Sequence, residues 1–185
     1  MSMKIFAETP RLMIREVLLE DARSFFELDS DPEVHRYLGD AVVESIDQSR
    51  KQIASIRQEY LENGIGRWAM IEKSTHHFLG WCGLKLEKRT INHHSNFYDL
   101  GYRLIKRYWG KGYATEAAKA VLGYGFGNRN IQEIYADADK NNIASKRVLE
   151  KAGLTFVETF DDEGYAVDWY KITKIEWQNN LLNNI

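Results

Sequence analysis

The chain has 185 residues, of which 44% are hydrophobic and 12% aromatic, and this composition supports one compact domain spanning residues 1–185. Its 25 basic and 27 acidic residues leave a net charge of -2, so no overall positive field attracts nucleic acid. No stretch approaches the roughly 18 apolar residues of a membrane span, and residues 1–9 lack the apolar core of a secretion signal. We therefore expect a cytoplasmic protein that binds neither nucleic acid nor membrane.

The first half of the chain predicts one strand, two helices and then three strands. Alternating apolar residues indicate a half-buried strand over residues 11–17, and a short helix follows over residues 21–28. Ser45 and Gln48 have the spacing of a capping box and begin an amphipathic helix that runs to Gly64. Three further strands are expected over residues 68–72, 78–86 and 97–104.

The second half alternates helices and strands. A continuous apolar stripe predicts a helix over residues 113–126. A strand over residues 133–138 and a capped helix over residues 142–152 follow, then a hairpin within residues 155–172 and a short polar helix. This order predicts an α/β fold with a mixed sheet of about seven strands and helices on both faces.

A glycine-rich element lies between the strand that ends near residue 105 and the helix that begins near residue 113. Arg107, Gly110 and Gly112 form the pattern R-x-x-G-x-G. A strand that stops where a helix begins leaves backbone N–H groups without partners, and glycine lets the main chain approach a ligand closely. The helix dipole and Lys111 add positive charge, which suits a pyrophosphate. The alternative is an ordinary glycine turn that caps a helix.

Longer motifs around this element resemble those of a known family. D-L-G-Y-R-L at residues 99–104 and R-Y-W-G-K-G-Y-A-T-E-A at residues 107–117 resemble the acetyl-CoA motif of GNAT acetyltransferases. The segments at residues 9–16, 30–38 and 142–154 are similar to the RimJ/RimL branch, which acetylates ribosomal-protein N-termini. The resemblance implies a mostly antiparallel mixed sheet with a V-shaped split for acetyl-CoA, the acetyl donor.

The resemblance also implies which residues hold acetyl-CoA. The backbone of Leu104 and Ile105 would contact the pantetheine arm and the thioester oxygen, and Asn142 would hydrogen-bond the arm. The pyrophosphate would be held by the turn and the first helical residues, namely Arg107, Gly110, Lys111, Gly112, Tyr113, Ala114 and Thr115.

Acetylation of an amine needs a neutral amine, donors for the developing oxyanion and an acid for the departing thiolate. Asp99 stands where the family often has a glutamate and is the candidate for taking the amine proton. The alternatives are a solvated or salt-bridged strand acid, and loss of the amine proton to solvent before binding. The tyrosine that many relatives carry seven residues after the asparagine is replaced by Leu149. Ser145, one helical turn after Asn142, is the preferred acid, since the resembling branch can use a serine there. A capping or surface role is its alternative.

The expected acceptor is a primary amine, with the N-terminal α-amine of a peptide or protein implied by the resemblance. A small amine, such as a polyamine, amino sugar or amino-acid derivative, is the alternative within the same enzyme class. A non-catalytic acyl-CoA-binding module is a third reading, and a homodimer is left open. No metal site is expected, because the five histidines are paired or isolated without nearby ligands.

Acidic residues of the first two helices and their connection predict a rim that concentrates cationic acceptors. An ordinary solvated surface is the alternative interpretation. The residues of this acidic rim are Asp29, Asp31, Glu33, Asp40 and Glu44.

Overall fold

The computed structural model describes residues 3–39 and 42–183. These residues contain eight strands, β1 (Ile5–Glu8), β2 (Leu12–Arg15), β3 (Arg67–Glu72), β4 (Phe78–Glu87), β5 (Phe97–Leu104), β6 (Glu133–Asp139), β7 (Thr155–Asp162) and β8 (Tyr165–Thr173). All belong to one sheet in the order β1-β2-β3-β4-β5-β6-β8-β7. Neighbouring strands are antiparallel except for β5 and β6, which run parallel.

This architecture confirms the predicted mixed, mostly antiparallel sheet. Each strand expected from the sequence is present, and β1 is an additional one. It pairs with β2 at the edge of the sheet. Four residues at an edge give too little alternation for a sequence pattern to reveal them.

The described helices are α1 (Ala22–Asp29), α2 (Pro32–His35), α3 (Ile46–Asn63), α4 (Tyr113–Gly123), α5 (Ile143–Ala152) and α6 (Lys174–Asn183). Only α2 was not expected. Its local signal is present, because Asp31 accepts a hydrogen bond from the Glu33 N–H as N-cap and Pro32 occupies the first turn.

Successive side chains of β5 point to opposite sides of the sheet, where different helices pack. Arg103 contacts Asp29 of α1, and we call that side the α1 face. Tyr102 contacts Ser145 of α5 on the other side, which we call the α5 face. Since α1 packs on α3 and α4 packs on α5, helices lie on both faces as predicted.

Local capping groups set the helix ends that the sequence predicted. The Ser45 and Gln48 side chains form the capping box of α3, which ends at Gly64 with a positive φ of 65°. Asn142 caps α5 by accepting a hydrogen bond from the Ser145 N–H. Helix α4 continues as one π-helical turn over Tyr124–Asn128, which completes the long helix expected there. No helix in the described ranges is long and apolar enough to cross a membrane.

Candidate active site

Strands β5 and β6 separate after a short paired segment. They match only at Tyr98 with Ile134 and at Asp99 with Tyr135. In contrast, β5 is paired with β4 along its whole length, and β6 is paired in the same way with β8. The sheet therefore opens into a V-shaped split between residues 100–104 and residues 136–139, as the sequence resemblance implied.

The edge of β5 that faces this split has main-chain groups available for a ligand. The Ile105 N–H donates to the Leu79 carbonyl of the neighbouring chain segment at 2.9 Å. Because hydrogen-bonding directions alternate along an antiparallel strand, the main-chain groups of Tyr102 and Leu104 face the split. Leu104 can therefore pair with a pantetheine arm through its N–H, while its carbonyl accepts from Trp109 Nε1 at 2.8 Å. Ile105 has both main-chain groups in use, since its N–H donates to Leu79 and its carbonyl accepts from the Tyr108 N–H.

The glycine turn precedes the N-terminus of α4 and fits a pyrophosphate. Gly110 and Gly112 have φ values of 72° and 81°, which favour glycine because other residues are strained there. Gly112 is the N-cap of α4 and supplies no capping side chain. Within the described residues, the N–H groups of residues 110–115 have no main-chain or side-chain acceptor. Such unpaired N–H groups at the positive end of a helix dipole are the usual donors to phosphate oxygens.

The two basic side chains of the turn already contact other protein groups. Arg107 is exposed and forms an ion pair with Glu27 of α1. The Lys111 ammonium group lies 5.5 Å from the centre of the Tyr108 ring. The main-chain donors of the turn are therefore in place for a phosphate, whereas Arg107 would have to leave Glu27 to reach one.

The N-terminal T-P-R-L segment holds this turn against the helix, a role that the sequence did not indicate. The guanidinium of Arg11 donates to the carboxylate of Glu116 at 2.6 Å and to the Lys111 carbonyl at 3.0 Å. The Thr9 hydroxyl also donates to Glu116, and the Arg11 guanidinium covers the Tyr113 ring at 4.3 Å. Burial alone would raise the pKa of Glu116, but these hydrogen bonds lower it, so the carboxylate stays charged.

Ser145 lies on the α5 face of the sheet, next to a buried phenol. Its hydroxyl oxygen is 2.8 Å from the Tyr102 hydroxyl, which also donates to the Ser145 carbonyl at 2.9 Å. Burial raises the pKa of Tyr102 well above its usual value, so the phenol stays protonated and can donate. Ser145 is thus part of a two-hydroxyl chain. Sequence reasoning missed Tyr102, whose only signal was its place on the same β5 face as Leu104.

The side chain of Asn142 is already in use as the cap of α5. Its Oδ1 accepts the Ser145 N–H at 3.1 Å, which leaves its Nδ2 group as the donor for a pantetheine carbonyl. The cap therefore fixes the orientation of the amide that the resemblance assigned to the pantetheine arm.

Asp99 lies on the α1 face and has a strong cationic partner. Its carboxylate pairs with Arg67, whose guanidinium also donates to the carbonyls of Asp99 and Gly83 at 2.9 and 2.7 Å. A Cβ on Gly101 would come within 2.6 Å of the Arg67 Cζ, so the glycine makes room for this guanidinium. The guanidinium therefore occupies Oδ2 of Asp99, so a substrate amine would have to compete with Arg67 for this carboxylate.

The acidic rim predicted from the sequence is only partly a surface feature. Asp29 is fully buried and pairs with Arg103 at 2.6 Å, so it was wrongly placed on the rim. His35 is also buried and lies 3.6 Å from Asp29. Of the remaining residues, Asp31 caps α2, Glu33 lies 3.5 Å from Lys106, and Asp40 is outside the described residues.

A sheet that splits beside a helix N-terminus with unpaired main-chain N–H groups can hold an acyl donor that carries phosphates. The sequence profile of the acetyltransferase (GNAT) domain matches residues 11–155. The chain therefore belongs to the GNAT acetyltransferases and is an acetyl-CoA-dependent N-acetyltransferase.

Three similar proteins illustrate the relationship. The chain is 32% identical over 163 residues to the uncharacterized N-acetyltransferase p20 of Bacillus licheniformis, covering 88% of this chain and 86% of that protein. RimL, a ribosomal L7/L12 alpha-N-protein acetyltransferase solved with coenzyme A, aligns with a TM-score of 0.77 at 15% identity, over 92% of this chain and 98% of its own. Spermidine N-acetyltransferase from Vibrio cholerae, solved with CoA and spermine, aligns with a TM-score of 0.75 at 18% identity, over 92% and 100%. The two structures share the fold of this chain.

Proposed function

We propose that this enzyme acetylates the N-terminal α-amine of a peptide or protein. The observation that carries the proposal is the split between β5 and β6, which has a proton-donating pair on one face and carboxylates on the other. Tyr102 and Ser145 lie on the α5 face, and Asp99 lies on the α1 face. An acceptor amine that enters from the α1 face would meet the thioester opposite the hydroxyl that protonates the thiolate. The peptide class of acceptor rests on the sequence resemblance to the RimJ/RimL branch.

A small polycationic amine is the second candidate. Asp99, Asp137 and Asp162 are neighbours on the α1 face, and Asp99 is paired with Arg67. The negative charge that remains favours a ligand with several positive charges. The named function of the Vibrio cholerae relative shows that this fold can accommodate such an acceptor.

A CoA-release assay with a panel of acceptors tests both candidates. The panel contains peptides with free N-termini, the same peptides with blocked N-termini, polyamines and amino sugars, and mass spectrometry locates the acetyl group. We expect CoA release with free peptides and none above hydrolysis with blocked ones. Release with polyamines alone would favour the second candidate. Tight acetyl-CoA binding without amine-dependent release would show a binding module.

A further inference from the structure

Asp137 of β6 is an exposed carboxylate at the point where the split opens. It lies two residues beyond Tyr135, the last β6 residue that pairs with β5. If the register of β5 and β6 continued, Asp137 would lie opposite Gly101, which has no side chain to cover the carboxylate. Asp137 forms no ion pair with any described residue and no side-chain hydrogen bond to one. The carboxylate is therefore open to a molecule that enters the split from the α1 face.

We propose that Asp137, rather than Asp99, is the catalytic residue that accepts the proton of the acceptor amine. This inference rests on the proposed amine acetylation and assigns one step of it. Asp99 and Asp137 lie on the same face, but Asp99 is held by Arg67. A catalytic base has to be accessible to the substrate and free to accept its proton, and Asp137 meets both conditions.

The groups around Asp137 favour a base that works near neutral pH. Although the side chain is open to solvent at the split, enclosure by protein raises the pKa of Asp137 to about 7. The negative charges of Asp99 and Asp162 raise it further, and Arg67 lowers it. Tyr102, on the opposite face of β5, is neutral and contributes no charge. Near pH 7 the carboxylate can therefore both take a proton and release it.

The proton balance of the reaction is complete with the groups present. An ammonium group entering the split gives one proton to Asp137, and the resulting amine nitrogen forms a bond to the acetyl carbon. As the carbon–sulfur bond breaks, the CoA sulfur gains a proton through Ser145, and the second proton from nitrogen replenishes this hydroxyl chain. Asp137 then returns its own proton to solvent. The products are the acetylated amine, CoA and one released proton.

The test is the pH dependence of kcat/KM for the acceptor in matched variants. In the parent we expect an acid limb near pH 7, where Asp137 becomes protonated, and an alkaline limb that moves with the pKa of the acceptor amine. The Asp137→Asn variant should lack this acid limb. Its rate at neutral pH should fall by about 100- to 10,000-fold, the usual contribution of a positioned base. Asp137→Glu should retain the limb.

Two neighbouring carboxylates serve as controls. Asp99→Asn removes a negative charge that raises the pKa of Asp137, so it should move the acid limb to lower pH without abolishing it. Asp162→Asn removes a charge from the same face and should retain most of the rate. If Asp137→Asn changes only the KM of the acceptor and keeps the acid limb, the carboxylate is not the base.

A second measurement does not depend on turnover and separates this inference from the proposed function. Carbon-13 NMR of the aspartate carboxyl groups, assigned by comparison with Asp137→Asn, should show a titration near neutral pH for this group. A midpoint near pH 4 would overturn the assignment even in a fully active enzyme. A midpoint near neutral pH in an enzyme that acetylates no amine would instead reject the proposed function.

Discussion

At the scale of single residues, the site is defined by what each side chain is already bonded to. Ser145 and Asp99 were chosen because they match positions that the resembling family uses, and both remain predictions as catalytic groups. Their surroundings differ, since Ser145 contacts the hydroxyl of Tyr102 and Asp99 pairs with the cationic Arg67. A hydroxyl neighbour can share a proton with Ser145, whereas Arg67 competes with a substrate amine for the carboxylate of Asp99.

Gly112→Val should block acetyl-CoA binding. The residue has a φ of 81° that valine adopts only with strain, and a side chain there would project beside the N–H groups expected to hold the pyrophosphate. Calorimetry should show at least a tenfold loss of acetyl-CoA affinity in the folded variant. Gly164→Val, at a φ of 93° in the β7–β8 turn, introduces similar strain outside the 107–115 segment and should retain affinity. Unchanged affinity in Gly112→Val would remove the turn from the acetyl-CoA site.

Ser145→Ala should lower kcat by about 100-fold, because a positioned acid contributes 100- to 10,000-fold and a thiolate needs little help to leave. Tyr102→Phe keeps the ring and removes the hydroxyl 2.8 Å from Ser145 Oγ, so it should lower kcat less than Ser145→Ala does. Steady-state kinetics across pH, with circular dichroism as a folding control, measures both. Parent-like turnover in Ser145→Ala would leave the serine a structural role only.

At the scale of elements, the segment before β2 fixes the N-terminal end of α4. Thr9, Arg11 and Glu116 form a hydrogen-bonded group that also reaches the carbonyl of Lys111. A turn that offers main-chain N–H groups to a phosphate loses less entropy on binding when it is already held in place. We therefore expect this group to strengthen acetyl-CoA binding by holding the turn in place.

Arg11→Met should weaken acetyl-CoA binding about three- to tenfold while leaving kcat at saturation unchanged. Methionine keeps much of the side-chain length and removes the hydrogen bonds to Glu116 and Lys111, each worth about 0.5–1.5 kcal/mol in a typical case. Arg50→Met breaks the exposed pair with Asp47, which contributes little, and is the matched control. Equal acetyl-CoA affinity in the two variants would contradict a positioning role for Arg11.

At the scale of the whole molecule, charge is distributed unevenly over a nearly neutral chain. The net charge is only -2, so attraction of a cationic amine has to come from a local group of carboxylates. The sequence placed that group on an acidic rim, but Asp29 is buried and Glu33 lies close to Lys106. We therefore expect the attraction to come from the exposed Asp137 and the neighbouring carboxylates of the split.

The KM of the acceptor should rise with ionic strength, since the screening length falls from about 10 Å at 0.1 M salt to about 3 Å at 1 M. The rise should be steeper for a polyamine than for a peptide with one charge. Steady-state kinetics with saturating acetyl-CoA measures both slopes. The double variant Asp31→Asn with Glu33→Gln tests the rim and should change KM little, because these carboxylates already serve a cap and an ion pair. A KM that is indifferent to salt would show that charge has no part in acceptor recognition.

The sequence by itself determined the features that depend on neighbouring residues. Ser45 with Gln48, Gly64 and Asn142 fixed helix ends through bonds within a few residues of themselves. Alternating apolar residues fixed the strands except for the four-residue β1, and the motif around Gly112 identified the family. Such features can be predicted from the sequence because each is specified by local geometry or by a contiguous stretch of chain.

Only the tertiary structure decided which distant groups meet. Arg11 and Glu116 are 105 residues apart in sequence, Tyr102 and Ser145 are 43 apart, and Arg67 and Asp99 are 32 apart. No local pattern encodes such pairs, because they follow from strand order and from the separation of β5 and β6. The same separation leaves Asp137 exposed while Asp99 is paired. The sequence shows two similar aspartates, and the packing around them makes one a partner of arginine and the other an open carboxylate.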